Sequence, residues 1–108
     1  QSFESVEGIE ARLMLLKRYQ RPIVCSDWLM RQAGNDFEKV LPLFAAYRVG
    51  WFNRGLVAGK TQLEIQQAQY RSEKDPDLWQ QAVLRPDGKP YDGREIELIQ
   101  GFHYLETP

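Results

Sequence analysis

Four residues of this chain have side chains suited to chemistry and lie where short apolar runs turn polar. Asp27 and Trp28 end one such run, and Asn53 and Arg54 end another. A carboxylate can attack or stabilise an oxocarbenium-like centre when a glycosidic bond breaks. A flat aromatic ring beside it offers an apolar face to a sugar. The pattern therefore favours a sugar-handling site, with Asp27 as the catalytic residue and Trp28, Asn53 and Arg54 as substrate-binding residues.

The elements that must position these residues alternate between helix and strand. Apolar residues at helical spacing, with Ser5 as the N-cap, predict a helix over about 5–19, and a second helix is expected over 36–48. Residues 23–28 and 49–53 read as strands, and the continuous apolar start of the first is typical of a strand buried on both faces. Strands that alternate with helices predict parallel pairing through a crossover helix. The carboxyl ends of such strands carry the active site in α/β barrels.

The remainder of the chain has a weaker pattern. Residues 63–70 and 76–83 are compatible with short helices, residues 85–90 form a strong turn signal, and a last helix is expected over 94–102. Two parallel strands cannot form a covered sheet alone. We therefore expect residues 1–108 to form a single α/β domain that is either incomplete or completed by oligomerisation.

Several segments resemble the C-terminal part of (β/α)8-barrel glycoside hydrolases of the cellulase, mannanase and xylanase kind. They occur in the family's order along roughly residues 8–101. The segments are Arg21–Arg31 (RPIVCSDWLMR), Leu41–Phe44 (LPLF), Asn53–Gln62 (NRGLVAGKTQ), Arg85–Asp92 (RPDGKPYD) and Arg94–Ile99 (REIELI).

The resemblance implies a fold and a set of roles. The chain would be a partial barrel made of the last two to three βα units. Asp27 would occupy the position of the family's nucleophilic glutamate, Trp28 an aromatic position of the site, and Asn53 the end of the last strand. The parent activity would be hydrolysis of β-linked polysaccharides or oligosaccharides without a cofactor.

Three departures from the family pattern bear on that activity. Asp27 is one methylene shorter than glutamate, and retaining hydrolysis needs a carboxyl separation of about 5–5.5 Å. Arg54 replaces the tryptophan that would serve as a sugar platform. The family's acid/base glutamate has no counterpart in this chain, although the general-acid step requires a second carboxylate.

Other interpretations of the same residues remain open. The chain can be non-catalytic, an excised or engineered barrel piece that folds as a homo-oligomer. A carbohydrate-binding module would need exposed coplanar aromatic rings, for which Trp28, Trp79 and Tyr91 are candidates. Asp27 can also cap a loop or pair with Arg31, and Trp28 can be a core residue because aromatic side chains dominate burial.

Composition excludes several classes of function. The net charge is -1, from 14 basic and 15 acidic residues, so no basic nucleic-acid footprint is expected. One cysteine and one histidine, Cys25 and His103, give no metal-site spacing. The glycines around Lys60 are spaced too closely for a phosphate loop. No apolar run approaches the roughly 18 residues of a membrane span.

Overall fold

The computed structural model describes residues 5–60 and 62–102. This part of the chain contains three α-helices and one pair of short parallel strands. The helices are α1 (Val6–Lys17), α2 (Phe37–Tyr47) and α3 (Gly93–Gly101), and the strands are β1 (Val24–Cys25) and β2 (Gly50–Trp51).

Each helix begins at a side chain that accepts a hydrogen bond from a free backbone N–H of the first turn. Ser5 Oγ accepts from the amide of Gly8 at 3.1 Å, which confirms the predicted cap of α1. Asp36 caps α2 and Asp92 caps α3 in the same way. Such caps offset the lack of intrahelical partners at helix N-termini, so the three helix starts follow from local sequence.

The strand pair and α2 form a βαβ unit. Val24 pairs with Gly50 and Cys25 with Trp51, in parallel, and α2 connects the two strands. α2 contacts both α1 and α3, which makes it the central helix. Its buried residues are Phe37, Val40, Leu41 and Phe44. Pro42 lies inside this helix on its exposed side, and the helix continues past it to Tyr47.

The core lies around α2. Trp28 and Leu29 are buried against it, and α1 contributes one buried side chain, Leu13. The residues after β2 return to the same core through Val83. The complete buried cluster is Leu13, Trp28, Leu29, Phe37, Val40, Leu41, Phe44, Val49 and Val83.

Residues 55–92 form a loop region that is held by backbone hydrogen bonds. The amide of Ala58 donates to the carbonyl of Leu84, and the amide of Leu84 donates to the carbonyl of Leu56. The predicted turn at 85–90 is present, with Gly88 at φ 87° and its amide bonded to the carbonyl of Arg85. The helices expected over 63–70 and 76–83 are reduced to one 3-10 turn at Ala68–Tyr70.

The expectation of a partial (β/α) barrel with two to three βα units is wrong. The chain is mixed α/β, but the described residues hold three helices and a two-stranded sheet, which is too small for part of a barrel. The first strand is two residues long because the chain after Asp27 turns into the core. Val24, expected to be buried on both faces, is 58% exposed.

None of the helices in the described ranges is both long enough and apolar enough to cross a membrane.

Candidate functional site

Asp27 and Arg54 meet at the carboxyl edge of the strand pair. Each lies two or three residues beyond the end of its strand, and the parallel register brings the two strand ends side by side. Arg54 Nη1 donates to Asp27 Oδ2 at 3.2 Å. The Asp27 side chain is 20% exposed and that of Arg54 is 60% exposed. The Asp27 carboxylate, predicted from the sequence at this strand end, is therefore bonded to Arg54 and remains partly open to solvent.

One oxygen of Asp27 and one of Asn53 are left without a donor. Asp27 Oδ1 and Asn53 Oδ1 are both buried, and no group in the described part of the chain donates a hydrogen bond to either. The amide nitrogen of Asn53 is already used, since it donates to the carbonyl of Gly55 at 2.8 Å. A buried acceptor without a partner costs about 1–3 kcal/mol. Because both atoms are buried, a ligand could reach them only if neighbouring groups moved.

Trp28 lies in the core and not on the surface of the site. Trp28 is only 2% exposed. Its ring makes edge contacts with Phe37, Phe44 and Trp51 at centroid distances of 5.1, 5.5 and 5.7 Å. Its indole Nε1 donates to the carbonyl of Phe52 at 3.1 Å. The ring has no face on which a sugar could stack, so the structure gives Trp28 a supporting position beneath the strand ends.

Cys25 is a half-buried residue at the end of β1, directly before the site. Burial raises the pKa of its thiol, and the nearby negative charge of Asp27 acts in the same direction, whereas a backbone hydrogen bond from Asp27 opposes them. A thiol with a raised pKa is less nucleophilic at neutral pH. Cys25 therefore fits a packing role better than a chemical one.

Sequence reasoning missed the most heavily bonded polar side chain of the described region. Arg31 was considered as a partner of Asp27, but it lies buried in the loop after β1 and pairs with Glu95 of α3 at 2.8 Å. It also donates to the carbonyls of Trp79, Gln81 and Ala82. The only available signal was a charged residue that directly follows an apolar run, and that signal does not identify a partner 64 residues away.

Metal binding has no support in the described residues, since no group of three or more histidine, cysteine, aspartate or glutamate side chains comes together there. His103 lies outside the described residues.

Comparison of the chain with protein-family models, with curated proteins and with solved structures finds no match.

Proposed function

We propose that this chain is related to glycoside hydrolases and binds a β-linked oligosaccharide at the carboxyl ends of β1 and β2. The observation that carries the proposal is the Asp27 carboxylate at this edge, which accepts a hydrogen bond from Arg54 at 3.2 Å and whose side chain is 20% exposed. The accessible part of this carboxylate would accept hydrogen bonds from sugar hydroxyls. The sequence resemblance to glycoside hydrolases supports a saccharide over other ligands that carry hydroxyl groups.

Asp27 is the residue we assign to the nucleophile position. Arg54 donates to Asp27 Oδ2, while the other oxygen, Oδ1, is buried without a described donor. A complete hydrolytic cycle would need a second carboxylate as general acid. Oligosaccharide binding is therefore the primary expectation, and hydrolysis is the parent activity that the resemblance implies.

Replacing Asp27 with alanine tests this assignment. Loss of the carboxylate removes a charged acceptor, and a hydrogen bond to a charged group contributes about 1.5–3 kcal/mol. We expect affinity for cellohexaose, mannohexaose or xylohexaose to fall at least about tenfold, measured by isothermal titration calorimetry. Any release of reducing sugar should disappear. The matched control is Asp87→Ala, which removes an aspartate from the exposed turn at 85–90.

Oligosaccharide affinity or turnover that is equal in the Asp27→Ala variant, the Asp87→Ala variant and the unaltered chain would reject the assignment.

The second candidate function is that of a non-catalytic chain that associates with further copies of itself. The observation behind it is the exposure of large apolar side chains in two groups. One group lies in and after the strands (Val24, Phe52, Leu56 and Val57), and the other lies in and just after α1 (Met14, Leu15, Leu16 and Tyr19). Contiguous apolar patches on a protein surface commonly mark interaction sites.

Self-association predicts a mass above that of the monomer in light scattering on a sizing column. Phe52 is 65% exposed beside β2, so Phe52→Lys should return the protein to the monomer mass by placing a charge in the apolar contact. Gln67→Lys, an exposed substitution on the long loop, serves as the control and should leave the mass unchanged. A monomer mass for the unaltered chain across the accessible concentration range would eliminate this candidate.

A further inference from the structure

A cavity lies in the long loop after β2, and neither Asp27 nor Arg54 lines it. It has a volume of about 310 Å³. Ligand pockets for small molecules usually measure about 300–1,000 Å³, so this cavity suits a small ligand. Its polar and aromatic lining consists of Glu64, Gln66, Arg71, Asp77 and Trp79.

The wall of this cavity is organised by a buried glutamine. Gln66 is 4% exposed, and its Nε2 donates to the carbonyls of Asp75 and Leu78 at 2.8 and 2.7 Å. Its Oε1 accepts a hydrogen bond from the amide of Ser72 at 2.7 Å. These three bonds join the two sides of the loop across the floor of the cavity. Binding would therefore require little additional ordering of the chain.

Trp79 is held in place through both its ring and its backbone. The ring stacks on Tyr91 with a centroid distance of 4.5 Å and an angle of 22° between the planes. Its carbonyl accepts from Arg31 Nη1 at 3.2 Å, and its amide donates to Tyr91 Oη at 3.4 Å. Tyr91 covers one face of the indole, and the same indole lines the cavity. Trp79 is thus a fixed aromatic wall.

Three charged groups on the cavity have unused hydrogen-bonding capacity. Glu64 Oε1 is buried and receives no hydrogen bond from the described part of the chain. The side chains of Arg71 and Asp77 form no ion pair or hydrogen bond with any residue that the structure describes. The cavity therefore combines two carboxylate acceptors and one guanidinium donor with an aromatic wall.

We propose that this cavity is a saccharide-binding subsite. The indole of Trp79 would pack against the apolar face of a sugar ring, Glu64 and Asp77 would accept hydrogen bonds from hydroxyl groups, and Arg71 would donate to a hydroxyl or ring oxygen. Two carboxylates against one guanidinium give the cavity a net negative charge, which disfavours an anion. A sugar is neutral and can use both the acceptors and the donor. The proposal does not depend on sugar binding at Asp27.

One NMR titration reports on the two sites separately through the indole N–H signals. The probes are cellobiose, mannobiose and xylobiose, added to the full chain labelled with ¹⁵N. The Trp79 indole lines the cavity, whereas the Trp28 indole donates to the Phe52 carbonyl beneath the strand ends. We expect saturable shifts of the Trp79 signal with at least one disaccharide. Shifts at Trp28 alone would support the strand-end site and overturn the subsite.

Variants at the cavity complete the test. Glu64→Ala and Trp79→Leu should each lower the affinity for the disaccharide at least about tenfold. This affinity is measured from the backbone amide signals of Arg71 and Gln66. Glu73 is an exposed carboxylate of the same loop that does not line the cavity, so Glu73→Gln should leave the affinity at the cavity unchanged. Asp27→Ala should leave this affinity unchanged as well. Glu64→Ala keeps the stack of Trp79 on Tyr91, so the test survives if Trp79→Leu fails to fold.

The proposal is overturned if no disaccharide shifts the Trp79 signal, or if both cavity variants bind as the unaltered chain does. It is equally overturned if choline saturates the Trp79 signal while the three disaccharides do not, because the cavity would then be a site for cations.

Discussion

Replacing Arg31 with methionine should lower the free energy of unfolding by about 3–5 kcal/mol, which is the usual cost of removing one partner from a buried ion pair. The side chains of Arg31 and Glu95 are 4% and 10% exposed, and two bonds of 2.8 Å join them. The substitution would leave the Glu95 carboxylate buried without its partner. It would also remove the donors to three backbone carbonyls.

The location of Arg31 explains why one side chain has so large an effect. Its guanidinium links the 3-10 turn at Arg31–Ala33 to α3 and to the returning segment at 79–82. One of the carbonyls it binds belongs to Ala82, which has a φ of 70° that L-residues rarely adopt. Strained backbone of this kind persists only where surrounding contacts maintain it. Arg31 supplies such a contact.

Urea denaturation followed by circular dichroism measures the effect, with Arg94→Met as the control. Arg94 pairs with Glu38 at 3.1 Å, but both side chains are more than half exposed, so its loss should cost only about 0–1 kcal/mol. Arg31→Lys should lower the free energy of unfolding by an amount between those of Arg31→Met and Arg94→Met, because lysine keeps the charge but not the planar set of donors. Equal costs for Arg31→Met and Arg94→Met would show that the buried network does not hold the loop to α3.

Replacing Trp28 with alanine should also cost about 3–5 kcal/mol, the range for large aromatic residues removed from a core. The ring is surrounded edge-on by Phe37, Phe44 and Trp51, and it carries a hydrogen bond to Phe52. Its removal would leave a cavity in the main cluster directly beneath the Asp27 site. Affinity for oligosaccharides should therefore be lost together with stability, and Trp28→Phe should restore part of both.

Phe52→Ala is the contrasting variant, because Phe52 is an aromatic of the same region that is 65% exposed. An exposed substitution away from special contacts usually changes stability by less than about 0.5 kcal/mol. Thermal unfolding of both variants gives the comparison. A cost for Phe52→Ala as large as that for Trp28→Ala would mean that Phe52 is buried in an assembly, and a negligible cost for Trp28→Ala would contradict its core position.

Local sequence was sufficient to predict the three α-helices and the turn, but it also suggested helices over 63–70 and 76–83 that do not form. Ser5 and Asp36 begin α1 and α2 as expected, because a capping side chain acts within three residues of its own position. The turn at 85–90 follows from its glycine and prolines in the same local way. The strands were placed correctly but predicted too long, since an apolar run does not reveal whether a neighbouring strand is present to pair with it.

At the strand-end site, one feature could be predicted from the sequence and another could not. The meeting of Asp27 with Arg54 follows from parallel strands, which bring their carboxyl ends to one edge. The burial of Trp28 could be stated from sequence only as an alternative, because an aromatic residue after a strand can turn inward or outward. Its orientation depends on the rings of α2 and on Trp51.

The sequence by itself determined where the helices begin, the mixed α/β class and the carboxylate at a strand end, since each depends on residues within one short segment. Only the tertiary structure decided the two-stranded sheet, the pairing of Arg31 with Glu95 and the stacking of Trp79 on Tyr91. Arg31 and Glu95 are separated by 64 residues along the chain. No local pattern specifies such partners, because burial and charge pairing are satisfied jointly only when distant segments pack together.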